Sequence, residues 1–274
     1  MKNLTDKVCV IADASEKIGS YVSLFLAKQS AKIVLCFDDE NKIDKSLISQ
    51  LDALNAKYKI IINDFSNFET VQKLVDEIKE DKSFGLINAM FYNICPPVVR
   101  QSIADMPRSV LSDFINNYVI KAYSATKVVS DAMGNKDGGV IIYRGSVNDD
   151  KPTGVAAFNS MYYAMIKNLN REAAIYYGYY NVRFINLEFG AVDKEDEEYH
   201  NDISTFYDGY QYKIPSGYTG NGNDYGSLIS YLFSDECKMI NGADIRIDNG
   251  LLFQYIEAVM TIATHERLKR EGKE

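Results

Sequence analysis

Tyr163 and Lys167, in the run YAMIK, stand four residues apart, which in a helix puts a phenol and an ammonium on one face. A phenol with an ordinary pKa of about 10 is a weak acid or base at neutral pH. A lysine ammonium beside it favours the phenolate and brings it towards the range where it moves a proton to or from an alcohol or carbonyl oxygen. In a chain with 20 tyrosines this spacing also arises by chance, and a solvated helix face is the plain alternative. The other chemistry-bearing residue types are sparse. The four cysteines, Cys9, Cys36, Cys95 and Cys237, have no C-x-x-C spacing, and His200 and His265 are the two histidines, so no metal site is expected. Three of the cysteines lie in or just after apolar strand-like runs and read as small buried hydrophobes of a reducing compartment.

Such a pair needs a scaffold, and the chain alternates short β-branched runs with longer runs of helical period. Val8 to Ala12, Lys32 to Phe37, Lys59 to Ile62, Gly85 to Tyr92, Gly139 to Tyr143 and Val182 to Leu187 read as strands. Tyr21 to Lys28, Asp44 to Leu54, Thr70 to Lys79, Val110 to Met133, Met161 to Tyr177 and Tyr225 to Phe233 read as the helices between them. Repeated βα alternation predicts a doubly wound, Rossmann-type α/β fold, a parallel sheet with helices on both faces. No linker or repeat divides the chain, so residues 1–250 read as one domain and 251–274 as a C-terminal helical extension. In that extension Phe253, Ile256, Val259, Met260 and Ile262 or Ala263 recur at helical spacing, for packing on a neighbouring subunit or on the same domain. The tyrosine-rich segment from Val192 to Tyr225 is long enough for a lid, or is a surface loop.

Order along the chain adds a resemblance. Ser146, in VIIYRGSVN, lies upstream of Tyr163 and Lys167 as the serine of the short-chain dehydrogenase/reductase family lies upstream of its Tyr-Lys pair. VRFINLEFGAV resembles that family's I-R-V-N-x-V-x-P-G-x-V, matching Gly190 and Val192 and replacing the proline by Phe189. IPSGYTGNGNDYGSLISYLFSDECKMINGADIRIDNG resembles, without a gap, the closing pattern of I-P-x-G, F-L-x-S-D, I-T-G and V-D-G-G. The resemblance covers nearly the whole chain. It implies catalytic roles for Ser146, Tyr163 and Lys167, with Lys167 also anchoring a nicotinamide ribose. It further implies a dinucleotide site built from Ser15, Lys17, Ile18, Gly19, Asp38, Asp64, Phe65, Asn93, Tyr163, Lys167, Gly190 and Val192. Asp38 ends the second strand nineteen residues past Gly19, where a carboxylate accepts hydrogen bonds from ribose hydroxyls and repels a 2′-phosphate. NAD is therefore expected in preference to NADP, although Asp38, Asp39 and Glu40 also read as a solvated acidic turn.

Three departures stand out. The family's T-G-x-x-x-G-I-G loop is replaced by Ala12, Asp13, Ala14, Ser15, Glu16, Lys17, Ile18 and Gly19, which keeps only the last glycine. The lost glycines permit a tight turn and close approach of backbone to a pyrophosphate, and Asp13 and Glu16 bring negative charge there. INAMFYNIC keeps Asn93 but loses the family's glycine at the end of the fourth strand. In FINNYVIKAY the position of the family's helix asparagine falls on Tyr118, or on Asn117 with a shift of one residue.

The expectation is an NAD(P)-dependent oxidoreductase that interconverts an alcohol and a carbonyl on a small organic substrate. The alternative is a degenerate member that serves as a binding or assembly module, and an isomerase or dehydratase using the same pair is a third. The resemblance also implies a homodimer or homotetramer. A net charge of -8 disfavours nucleic acid and anionic membranes as partners, and no run reaches the length of a membrane span. The N-terminus lacks the apolar stretch of a signal peptide, so a cytoplasmic location is expected.

Overall fold

A computed structural model describes residues 4–97, 103–135, 137–154, 156–192, 214–216, 219–253, 266 and 268–272. Among the described residues seven strands form one parallel sheet in the order β3-β2-β1-β4-β5-β6-β7. They are β1 Val8–Ala12, β2 Lys32–Phe37, β3 Lys57–Ile62, β4 Ile87–Tyr92, β5 Gly139–Ser146, β6 Val182–Phe189 and β7 Ala243–Ile247. The helices are α1 Lys17–Ala27, α2 Lys45–Ala53, α3 Phe68–Glu80, α4 Arg108–Phe114, α5 Ile120–Gly134, α6 Ala157–Gly178 and α7 Gly222–Phe233. This is the Rossmann-type architecture expected from the alternation, with one strand more than the six that apolar runs mark. The seventh, β7, pairs with β6 alone and every residue in it is half-buried, so it lacks the apolar signature of the inner strands.

Alternation along the strands divides the core into two layers. Val10, Ala12, Met90, Tyr92, Ile141, Tyr143 and Phe184 face α3, α5 and α6. Cys9, Ile11, Ile33, Leu35, Phe91, Ile142 and Leu187 face α1, α2 and α7. Three element boundaries differ from those read in the sequence, each for a packing reason. α6 begins at Ala157 rather than Met161, because Phe158 stacks on Phe114 with ring centroids 4.9 Å apart. β5 continues to Ser146 because β6 runs on beside it, pairing Ser146 with Phe189. The long helix expected from Val110 to Met133 is interrupted by a π-helical turn at Ile115–Val119, which inserts one extra residue between α4 and α5.

Among the described residues no helix is long and apolar enough to cross a membrane. Most of the expected lid from Val192 to Tyr225, and most of the expected helical tail, lie outside the described residues. Of that tail Leu251–Phe253 forms a short 3-10 turn, and the exposed Phe253 ring lies under the Arg246 guanidinium, 4.8 Å from ring centroid to guanidinium carbon.

Candidate active site

The strand order reverses between β1 and β4, and in open parallel sheets ligands sit in the crevice outside the carboxyl ends of strands at such a point. The loop from β1 to α1 lies there. Asp13 adopts a left-handed backbone with φ of +67°, a conformation short polar side chains tolerate, and so keeps a glycine-like bend where the family has glycine. Its Oδ1 accepts hydrogen bonds from the Ser15 amide at 3.1 Å and from the Ser15 hydroxyl. Burial holds the Asp13 carboxyl above its ordinary pKa, helped by the charges of Glu16 and Asp38 and opposed by the Ser15 bonds. Gly19 has a clear steric reason. A Cβ there would stand 2.5 Å from the Asp13 carbonyl oxygen and 3.0 Å from Asn93 Nδ2, which itself donates to that carbonyl at 2.8 Å. Ile18 is buried in the core, and Glu16 precedes α1 with no side-chain cap.

Asp38 ends up at the exit of β2, 44% exposed and paired with Lys42 at 2.7 Å. Asp64 Oδ1 accepts from the Ser66 amide at 2.9 Å. The buried Phe65 has φ of +57° and its amide donates to Asn63 Oδ1 at 2.9 Å, so a side chain already takes that donor. The Gly190 amide donates to the Ile247 carbonyl at 3.0 Å, and a Cβ on Gly190 would lie 2.6 Å from Asp248 Cβ. Val192 forms an isolated bridge with Gly220.

Tyr163 and Lys167 occupy different electrostatic surroundings. Burial raises the Tyr163 pKa, Cys95 adds to the rise, and the cation that opposes it most is Arg144. The balance leaves the phenol above its ordinary range, and Lys167 is not among the groups that shift it most. The Lys167 ammonium is held by three carboxylates, Glu188 at 2.8 Å, Asp150 at 2.9 Å and Asp149 at 3.0 Å. Glu188 and Asp149 are each 2% exposed, and Arg246 bridges Glu188 at 3.3 Å and Asp150 at 3.0 Å. Carboxylate oxygens of Asp149, Asp150 and Glu188 lie within 4.8 Å of one another, but two cations already offset their charge, so the group is an ion-pair cluster. It ties α6 and the loop after Ser146 to β6 and β7.

No motif marks Arg144, whose side chain reaches Asn93 and Glu16 beside the β1 turn. Its side chain is 15% exposed, Nη1 donates to Asn93 Oδ1 at 3.3 Å, and Glu16 Oε2 stands 3.6 Å away. The signal was present, because a lone arginine interrupts the apolar strand VIIYRGS and strand period puts Arg144 and Ser146 on one face. Ser146, at the end of β5, accepts a 3.3 Å hydrogen bond from the Asn148 amide. One turn before Tyr163, the buried Asn159 donates to the carbonyls of Pro96 and Pro97 at 3.0 and 3.2 Å. In the π-turn, Tyr118 packs edge-on against Tyr162 at 6.3 Å, whereas Asn117 is exposed. The position facing α6 thus belongs to the tyrosine, and a one-residue shift does not bring the asparagine there.

A family model described as Enoyl-(Acyl carrier protein) reductase matches residues 13–252. The chain is 25% identical over 261 residues to an L-rhamnose 1-dehydrogenase (NAD(P)(+)) of Azotobacter vinelandii, covering 90% of this chain and 97% of that protein. It is 24% identical over 257 residues to a 3-oxoacyl-(acyl-carrier-protein) reductase of Escherichia coli, covering 91% and 98% respectively. Its fold is similar to a crystal structure of NAD+-bound xylitol dehydrogenase, with a TM-score of 0.81 at 21% identity over 91% of this chain and 100% of that one.

Proposed function

The chain belongs to the short-chain dehydrogenase/reductase family, and from that premise we propose that it is an NAD(P)-linked oxidoreductase interconverting an alcohol and a carbonyl on a small organic substrate. One observation carries this reading. The crevice at the strand reversal gathers Gly19, Asn93, Arg144 and the Tyr163 phenol, a proton-bearing group beside a cation at the place where the fold binds dinucleotides.

The residues present fit a dinucleotide at the adenosine end and in part at the phosphates. Gly19 lets the start of α1 pack against the Asp13 carbonyl and Asn93, which holds the N-terminus of α1 at the crevice, and Asp38, half-exposed and paired with Lys42 at 2.7 Å, puts a carboxylate at the ribose position, favouring NAD over NADP. The Ser15 amide, by contrast, is taken by Asp13. A bound nicotinamide would supply hydride transfer. Within the chain, Tyr163 holds the proton exchanged with the substrate oxygen, and Ser146 hydrogen-bonds that oxygen. The raised Tyr163 pKa keeps the phenol protonated at neutral pH, which suits donation to a carbonyl and so the reductive direction.

A second reading, a member acting as a binding module, draws on the Lys167 cage, since an ammonium held by three carboxylates has little freedom to anchor a ribose. The two readings separate in one assay. NADH consumption is followed by absorbance with a panel of sugar-derived and 3-oxoacyl carbonyls, on wild type and Tyr163→Phe. Oxidoreductase function gives carbonyl-dependent turnover that falls by about 100-fold or more in the variant. NADH binding without turnover for any carbonyl would favour the module.

A further inference from the structure

We propose that Arg144 is the phosphate-binding group of this crevice, and that Glu16 is a built-in carboxylate that occupies it until a dinucleotide pyrophosphate takes its place. The inference rests on the dinucleotide reading above and names the residues that make up for the lost glycine loop.

Arg144 has five N–H donors in a planar fork suited to bidentate capture of phosphate oxygens. Among the described residues its polar contacts are long, 3.3 Å to Asn93 Oδ1 and 3.6 Å to Glu16 Oε2. A guanidinium with 15% side-chain exposure that is paired so loosely retains donors for a better acceptor, because leaving a largely buried cation unmatched is costly. Glu16 is not bound tightly in return, since it is 48% exposed and immediately precedes α1. The pair therefore sits where a helix N-terminus and a cation converge, the combination that holds a pyrophosphate.

The neighbouring loop explains why a cation is needed. In the family pattern, backbone amides freed by glycine face the phosphates. Here Asp13 keeps the left-handed bend but turns its carboxylate onto the Ser15 amide and hydroxyl. That consumes one donor and adds a negative charge. Asn93, just after β4, braces the arrangement, donating from Nδ2 to the Asp13 carbonyl at 2.8 Å and accepting from Arg144 at Oδ1. One guanidinium thus restores what the loop has lost, and it does so from β5 rather than from the β1 turn.

Exchange of one anion for another gives variants opposite signs. The probes are NADH, ADP-ribose, which carries the pyrophosphate without the nicotinamide, and adenosine, which carries neither, titrated calorimetrically at fixed low salt. Glu16→Gln removes the competing charge and is expected to tighten ADP-ribose by about tenfold. Arg144→Gln is expected to weaken it by about tenfold to hundredfold, the range of one charge-assisted hydrogen-bonded contact. Arg144→Lys, which keeps charge but loses the fork, falls between. In the Arg144→Gln background the Glu16→Gln gain disappears, and adenosine binding is unchanged throughout. Retained near-ultraviolet circular dichroism shows that each variant is folded. Binding of ADP-ribose with all variants within twofold of wild type overturns the inference and leaves the oxidoreductase reading intact. No binding of NADH or ADP-ribose by either wild type or folded Glu16→Gln overturns both.

Discussion

Replacing Lys167 by methionine separates a structural lysine from a cofactor-binding one. Methionine keeps the unbranched stem and removes the ammonium, leaving Glu188 and Asp149, each 2% exposed, with Arg246 as the remaining cation of the cluster. The third partner, Asp150, is 40% exposed and already shared with Arg246, so its loss counts for at most about 1 kcal/mol. Breaking a buried ion pair by removing one partner costs about 3–5 kcal/mol, because a desolvated charge is left unmatched. For a domain of this size that corresponds to a fall in melting temperature of roughly 10 °C. Urea unfolding and a thermal melt measure it directly. Combining Lys167→Met with Glu188→Leu should recover about half of the loss or more, since a buried pair replaced by apolar groups is often neutral. A Lys167→Met protein as stable as wild type to within about 1 kcal/mol, but with weakened NADH binding, would refute the structural assignment and restore the ribose-anchoring role.

The raised Tyr163 pKa sets the sign of the pH dependence: carbonyl reduction, which needs the phenol protonated, should hold to about pH 10. Alcohol oxidation, which needs phenolate, should rise steadily with pH, and initial rates in both directions check this. A reductive limb falling near neutral pH would contradict it. Gly19→Ala drives a Cβ to 2.5 Å from the Asp13 carbonyl and should cost about 1–3 kcal/mol in urea unfolding. Asp13→Asn keeps the acceptor for Ser15 and a residue type suited to φ of +67° while removing a carboxylate whose charged form the fold disfavours. A raised carboxyl contributes stability at low pH that is lost as pH rises through the folded value, so the variant should gain on wild type at pH about 7 and lose that gain below about pH 4. Parallel unfolding curves at both pH values test this.

Much of the fold was legible because its evidence is periodic. Apolar runs such as Val8 to Ala12 and Lys32 to Phe37 are buried on both faces of the sheet, and their boundaries match the strands residue for residue. β7 was missed because an edge strand with half-buried residues carries no such run. The π-turn at Ile115–Val119 was invisible because one extra residue in a long helical pattern leaves composition unchanged. Around the crevice, order along the chain marks Gly19, Asn93, Ser146 and Tyr163, but spacing alone does not give the surroundings of Lys167. Two residues four apart share a helix face, yet Glu188 and Asp149 capture one of them from other elements. The clue lay elsewhere, in the lone charges of VIIYRGS and VRFINLEF, where Arg144 and Glu188 interrupt strands that are otherwise apolar or neutral but for Arg183.

The central proposal is that this altered crevice still holds a dinucleotide, with Asp38 choosing between the two nicotinamide forms. A calorimetric titration of the folded protein with NADH and, separately, NADPH tests it most directly. Saturable binding of NADH, tighter than NADPH by about tenfold or more, is the expected result, because a 2′-phosphate would meet the Asp38 carboxylate. Absence of saturable binding by either nucleotide would contradict it.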